Sequence, residues 1–149
     1  MANFVYTRAA TNILKGDMDF DAHDFRVMLL MTNTTADTER DAATISAFTT
    51  LDEMDGANYA RQAISGEEVN EDTGNDRAEF DDDDSDVTFS SLGAGTRQVQ
   101  GAIVYRHITD DTDSVPVCWI HTGGFPFTAN GSDVVIQFNA EGILQATTT

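Results

Sequence analysis

The sequence predicts a mainly β fold, either an antiparallel β-sandwich or a jelly-roll-like barrel, with a short N-terminal helix. Three observations predict it. Gly101–Leu144 reads as three strands of an antiparallel meander: Gly101–His107, Val115–Thr122 and Asp133–Asn139. They are rich in β-branched and aromatic residues and are separated by turn-forming stretches at Asp110–Ser114 and Gly123–Ser132. Asp24–Thr32 is apolar at nearly every position, as expected of a strand covered on both faces. The segment ending at Lys15-Gly16 has the spacing and the stop of one short helix.

Taken in order, Phe4–Lys15 reads as an arm running into that helix, with Thr7 as the candidate N-cap. Ala9, Ala10, Ile13 and Leu14 make a narrow apolar face. Asp17, Asp19 and Asp21 stand two apart, as in calcium loops. Ala22 and Met28 then occupy positions where an EF-hand needs Gly and Glu, so the pattern excludes an EF-hand and a turn is expected. In the next strand Phe25, Val27, Leu29 and Met31 share one face, and Met28 and Leu30 the other. Asn33–Thr44 reads as a polar loop. Ile45, Phe48, Leu51 and Met54 recur every three residues, which fits one or two helical turns, while Ser46–Leu51 fits an extended run equally well. Gly56–Ile64 reads as a strand opening at a turn.

Ser65–Asp86 is an acidic block opposed only by Arg77, and it cannot fold in isolation. Asp76–Asp81 is expected to pair with the stretch around Val69, and Asp83–Asp86 to turn in solvent. A solvated acidic face is the preferred reading of the block, with a calcium site as the alternative. Val87–Ser90 reads as a short strand, Ser91–Gly95 as a turn and Asn139–Gly142 as another. The expected organisation is a single domain over residues 1–149. It has a flexible arm at about 1–6, an acidic insertion at 67–86 and a disordered tail at 145–149.

Charge narrows the function. Eight basic against 26 acidic side chains give a net charge of −18, which argues against nucleic acid and against anionic membranes as partners. No apolar run is long enough to span a bilayer. Met1–Arg8 lacks the basic start and apolar core of a signal peptide, so synthesis in a cytoplasm is expected. Cys118 is the only cysteine. Its apolar strand and its neighbour Trp119 predict a buried structural thiol rather than a nucleophile. Tyr105 and Trp119 are expected in the core.

His107 and His121 lie on neighbouring predicted strands. With a carboxylate they would make an incomplete metal set, and an ordinary place at strand ends is preferred for them. There is no Gly-x-Ser-x-Gly elbow, phosphate loop, Cys-x-x-Cys pair or His-Glu-x-x-His motif. The prediction is therefore a non-enzyme with no catalytic residues, no metal site and no cofactor.

The order of segments resembles a family of small structural proteins of tailed bacteriophages. The resemblance is carried by the arm and short helix, Asp24–Leu30, Gly56-Ala-Asn-Tyr59, the acidic segment with an aromatic at Ala78–Asp83, Gly101–Tyr105, Val117–His121 and the closing Val135–Leu144. It implies a capsid decoration (cement) protein on the outer surface of the virion, made in the cytoplasm of a bacterial host. Its implied partners are the major capsid protein and, within a homotrimer, further copies of itself. A tail or fibre component, or a calcium-dependent binding module, is the alternative. Aromatic and arginine side chains favour interfaces, which makes Phe4, Tyr6 and Arg8 of the arm the expected contacts to shell or subunit.

Overall fold

The computed structural model describes residues 2–81, 86–139 and 142–147. In chain order the elements are β1 (Phe4–Val5), α1 (Thr7–Lys15), β2 (Phe25–Met31), a 3-10 turn (Ile45–Ala47), β3 (Gln62–Ala63), β4 (Glu68–Asp72), β5 (Arg77–Asp81), β6 (Val87–Phe89), β7 (Val99–Arg106), β8 (Val115–Ile120), β9 (Val134–Ile136) and β10 (Leu144–Thr147). The fold is mainly β, with antiparallel sheets and, among the described residues, one short α-helix. A five-stranded sheet in the order β1-β8-β7-β2-β3 forms the centre. A three-stranded sheet, β10-β5-β4, and a two-stranded ribbon, β6-β9, accompany it. All three sheets are open, which is the sandwich-like alternative of the two expected.

The central strands are apolar on both faces because both faces are covered. Phe25, Val27, Leu29, Ala102 and Val104 belong to one core with Phe20 and Phe80. Met28, Leu30, Ile103, Tyr105 and Trp119 belong to a second. The second core is closed by Ala36, Ala42, Ile45 and Phe48 from the segment between β2 and β3. The polar loop expected there is therefore a lid. Glu39 pins it, accepting hydrogen bonds from the Thr35 hydroxyl and from both the Thr49 hydroxyl and amide. Those bonds hold the Glu39 carboxyl below its usual range, the Thr49 hydroxyl contributing most. The open choice at Ile45 resolves as a single 3-10 turn followed by extended Phe48.

Several expectations need correction. Asp133–Asn139 does not extend the meander. β7 and β8 form the hairpin, but β9 pairs with β6, and the free edge of β8 is taken by β1, with Phe4 opposite Trp119 and Val5 opposite Cys118. The arm is thus an edge strand rather than a free segment. Backbone bonds to β8 hold it, and the Tyr6 amide donates to the Val117 carbonyl at 2.9 Å.

The tail is not disordered over residues 145–147. Leu144–Thr147 pairs with Arg77–Phe80, while Thr148 and Thr149 lie outside the described residues. Of Gly56–Ile64 only Gln62 and Ala63 are strand, pairing with Val27 and Arg26. Asn58, at φ 63°, sits in a left-handed turn that a continuous strand cannot contain.

The α1 cap is Tyr6, not Thr7, and Gly16 closes the helix at φ 76°, as its position predicts. Within β8 the alternation breaks. Val104 pairs with Cys118 and Tyr105 with Pro116, so Val117 is an extra residue in a bulge and joins the same core as Cys118.

The acidic segment folds as expected at its centre. β4 and β5 pair with Val69 opposite Phe80. The turn expected at Asp83–Asp86 lies, except for Asp86, outside the described residues. Folding is possible because the hairpin is not isolated. Phe80 is buried in contact with Phe20 and Phe25, with ring centroids 4.3 and 5.1 Å away, and β10 covers its other edge. Arg77 forms ion pairs with Asp72 and Glu79, drawing the one cation into the middle of the acid.

Candidate interaction surface

The expected contact residues of the arm fall in three different places. Tyr6 is fully buried: its hydroxyl donates to the Ala36 carbonyl at 2.8 Å, and its ring meets Phe48 edge-on. Burial pushes the Tyr6 phenol well above its ordinary range. It is a lid anchor and presents nothing to a partner. Phe4 is half-buried, with the Arg40 guanidinium 4.3 Å above its ring. Arg8 is exposed on α1.

The histidines are not brought together. His107 follows the β7 end that pairs Arg106 with Val115, and His121 follows the β8 end that pairs Ala102 with Ile120. An antiparallel hairpin therefore sets them roughly 15–20 Å apart along the strands. His121 Nδ1 donates to the Gln100 carbonyl at 2.7 Å, and His23 Nδ1 accepts the Asp19 amide at 3.0 Å. Among the described residues no group of three or more His, Cys, Asp or Glu side chains is placed to hold a metal ion. Among them, too, no helix is long and apolar enough to cross a membrane. Cys118 is buried, and that burial pushes its thiol up to about 12, far from a reactive thiolate.

A polar latch is built around Arg61. Its guanidinium pairs with both Glu53 and Asp111 and lies 5.4 Å over the Tyr105 ring. Glu53 also accepts the Tyr59 hydroxyl at 2.7 Å, and the Tyr59 oxygen in turn accepts the Leu29 amide at 3.1 Å. Hydrogen bonding to Arg61 is the main cause that holds Asp111 below the usual carboxylate range. Each of these donors meets an acceptor, so the cluster ties three chain segments together and leaves no group aimed at a ligand.

The outer sheet is the part of the molecule that remains open. Strand alternation puts Glu68, Asn70, Asp72, Arg77 and Glu79 on one face and Val69, Glu71, Ala78 and Phe80 on the other. The second face, with Leu144, meets Ile13 of α1 and Phe20 around an apolar cleft of about 150 Å³. Val69 lines this cleft and is 46% exposed. Its amide donates to the Asp21 carboxylate at 2.7 Å, which places acid at the cleft's margin.

Helix α1 departs from its expected orientation. Ala9 and Ile13 face the core, but Leu14 is 89% exposed. The buried face is narrower than the expected one, since 100° per residue turns Leu14 away from Ala9 and Ile13. The exposure of Leu14 was not legible, because its spacing fits a core position as well. Compared with family models, with curated proteins and with solved structures, the chain finds no match.

Proposed function

We propose that the protein is a non-enzymatic decoration protein of a tailed-phage capsid. It binds the major capsid protein on the outer surface of the virion, assembles as a homotrimer and bridges neighbouring capsomers. The observation that carries this reading is the outer sheet. Two segments of the phage resemblance, the acidic stretch with Phe80 and the closing stretch that ends at Leu144, are neighbours there: β10 pairs with β5. That sheet offers an acidic face and an apolar cleft, a composition suited to adhesion. Many weak copies then act together, because multivalent attachment multiplies modest contacts.

The test is co-sedimentation of the purified protein with undecorated shells of the phage that encodes it, followed by heating of the complex. Saturable binding to the shells and a higher temperature of shell disruption are expected. Protein that stays in the supernatant, or immunogold label on tails instead of heads, overturns the reading.

A further inference from the structure

We propose that Asn130 is a site of spontaneous covalent modification. Its side-chain amide is lost by ring closure onto the Gly131 nitrogen, at a rate set by a backbone clamp that the fold closes on that nitrogen. Asn130 is the only one of the eight asparagines that precedes glycine. Both residues are exposed, and open space lies beside Gly131, where no Cβ hinders a ring. The step needs no co-reactant but water. The Gly131 nitrogen gives up its proton and attacks Asn130 Cγ. The N–Cγ bond forms, the Cγ–Nδ2 bond breaks and ammonia leaves, so that a five-membered imide remains. Water then opens the imide at either carbonyl, giving aspartate or isoaspartate.

Two contacts act on this step in opposite senses. The Ser132 amide donates to Asn130 Oδ1 at 3.1 Å, so a donor already stands where negative charge develops as Cγ is attacked. The Gly131 amide donates to the Leu92 carbonyl at 2.7 Å, which shields the proton that must leave. The Leu92 amide on the Ser132 carbonyl at 3.0 Å and the Ser91 amide on the Asp133 carboxylate at 2.7 Å complete the clamp. It continues the β6–β9 ribbon beyond the Phe89–Val134 pair, with Leu92 fully buried at its centre. Ring closure requires the clamp to open, and its rate follows the fraction of molecules in which it is open. The chain's one Asp-Gly pair, Asp55–Gly56, offers similar chemistry and is locked. Both Asp55 carboxylate oxygens accept from Thr96, one from its amide and one from its hydroxyl, each at 2.8 Å. These bonds, the amide foremost, hold Asp55 below the usual carboxylate range, and an ionised carboxylate is a poor electrophile. Isoaspartate at 130 adds one carbon to the main chain inside the clamp. The Gly131 and Ser132 bonds to Leu92 then lose register, and a new carboxylate stands close to Asp133. The proposal is independent of the capsid reading, since it concerns the isolated chain.

The test is peptide mapping by mass spectrometry, with enzymatic methyl-labelling of isoaspartate, on purified full-length protein held at mildly alkaline pH. Folded wild type is compared with wild type unfolded in urea, and with folded Asp133→Ala and Asp133→Asn. Circular dichroism confirms each fold. Conversion at Asn130 is expected to be slower in the folded wild type than in urea. Asp133→Ala removes the acceptor of the Ser91 amide and is expected to speed conversion roughly threefold to tenfold, the worth of one hydrogen bond. Asp133→Asn keeps an acceptor without the charge and is expected to stay near the wild-type rate. Equal rates in folded and unfolded wild type overturn the proposal. So does a folded protein in which another asparagine or Asp55 converts first, an Asp133→Ala variant no faster than wild type, or an Asp133→Asn variant as fast as Asp133→Ala.

Discussion

Gly101 illustrates how one missing side chain sets the core. A Cβ at this position would come within 2.3 Å of the Trp119 ring and 2.7 Å of the Ile120 carbonyl. The indole therefore packs against the backbone of β7 only because residue 101 is glycine, and Trp119 is fully buried. Overpacking of this kind costs about 1–3 kcal/mol. Gly101→Ala is accordingly expected to lower stability by about that amount in chemical denaturation, with little change in secondary structure. Tyr6 makes the converse point. Its aromatic character suggested an interface, but side-chain type alone does not distinguish a surface contact from a buried anchor. What decides is the Ala36 carbonyl that its hydroxyl reaches, supplied by a residue thirty positions away.

At the scale of elements, β2, β7 and the body of β8 were legible because they are short, nearly continuous apolar runs covered on both faces, with β-branched and aromatic side chains prominent in β7 and β8. The partners of the short strands were not. Pairing of β9 with β6 rather than β8, and of β10 with β5, is decided by which backbone edge lies free, and edges leave no mark in side-chain periodicity. The two histidines could have been separated from sequence alone, since the turn at Asp110–Ser114 already places His107 near it and His121 far from it.

The Arg61 latch, joining the β7–β8 turn to the segments before β3, carries a pH prediction. Asp111 is held below its ordinary range in the folded protein, so its contribution is present above the unfolded carboxylate value of about 3.9 and is lost as pH falls through the folded value. Arg61→Met is expected to cost about 1–2 kcal/mol at pH 7, after allowance for partial exposure of the pairs, and to make the loss of stability below about pH 4 shallower than in wild type. Urea unfolding across pH 3–7 measures both effects.

The whole molecule is governed by its charge of −18. Self-repulsion on this scale opposes compaction, and the ion pairs made by Arg26, Arg61, Arg77 and Arg97 offset only part of it. Screening reaches inward from about 10 Å at 0.1 M salt to about 3 Å at 1 M. The melting temperature is therefore expected to rise between these salt concentrations, and calorimetry showing a fall would mean that the local ion pairs outweigh the global repulsion. The acidic character was evident from composition alone. Its arrangement was not, because the less acidic face of the outer sheet, with Val69, Ala78 and Phe80 beside the single carboxylate of Glu71, is created by pairing β4 with β5.

Strand alternation just after the bulge at Val117 leaves two unusual side chains back to back. The chain's only cysteine and its only tryptophan are consecutive on β8, yet Cys118 belongs to the core beneath the outer sheet and Trp119 to the core beneath the lid. The molecule therefore carries a native pair of reporters, a thiol for one compartment and a fluorophore for the other. Departure of the lid and departure of the outer sheet are separate spectroscopic events on adjacent residues, with no label introduced.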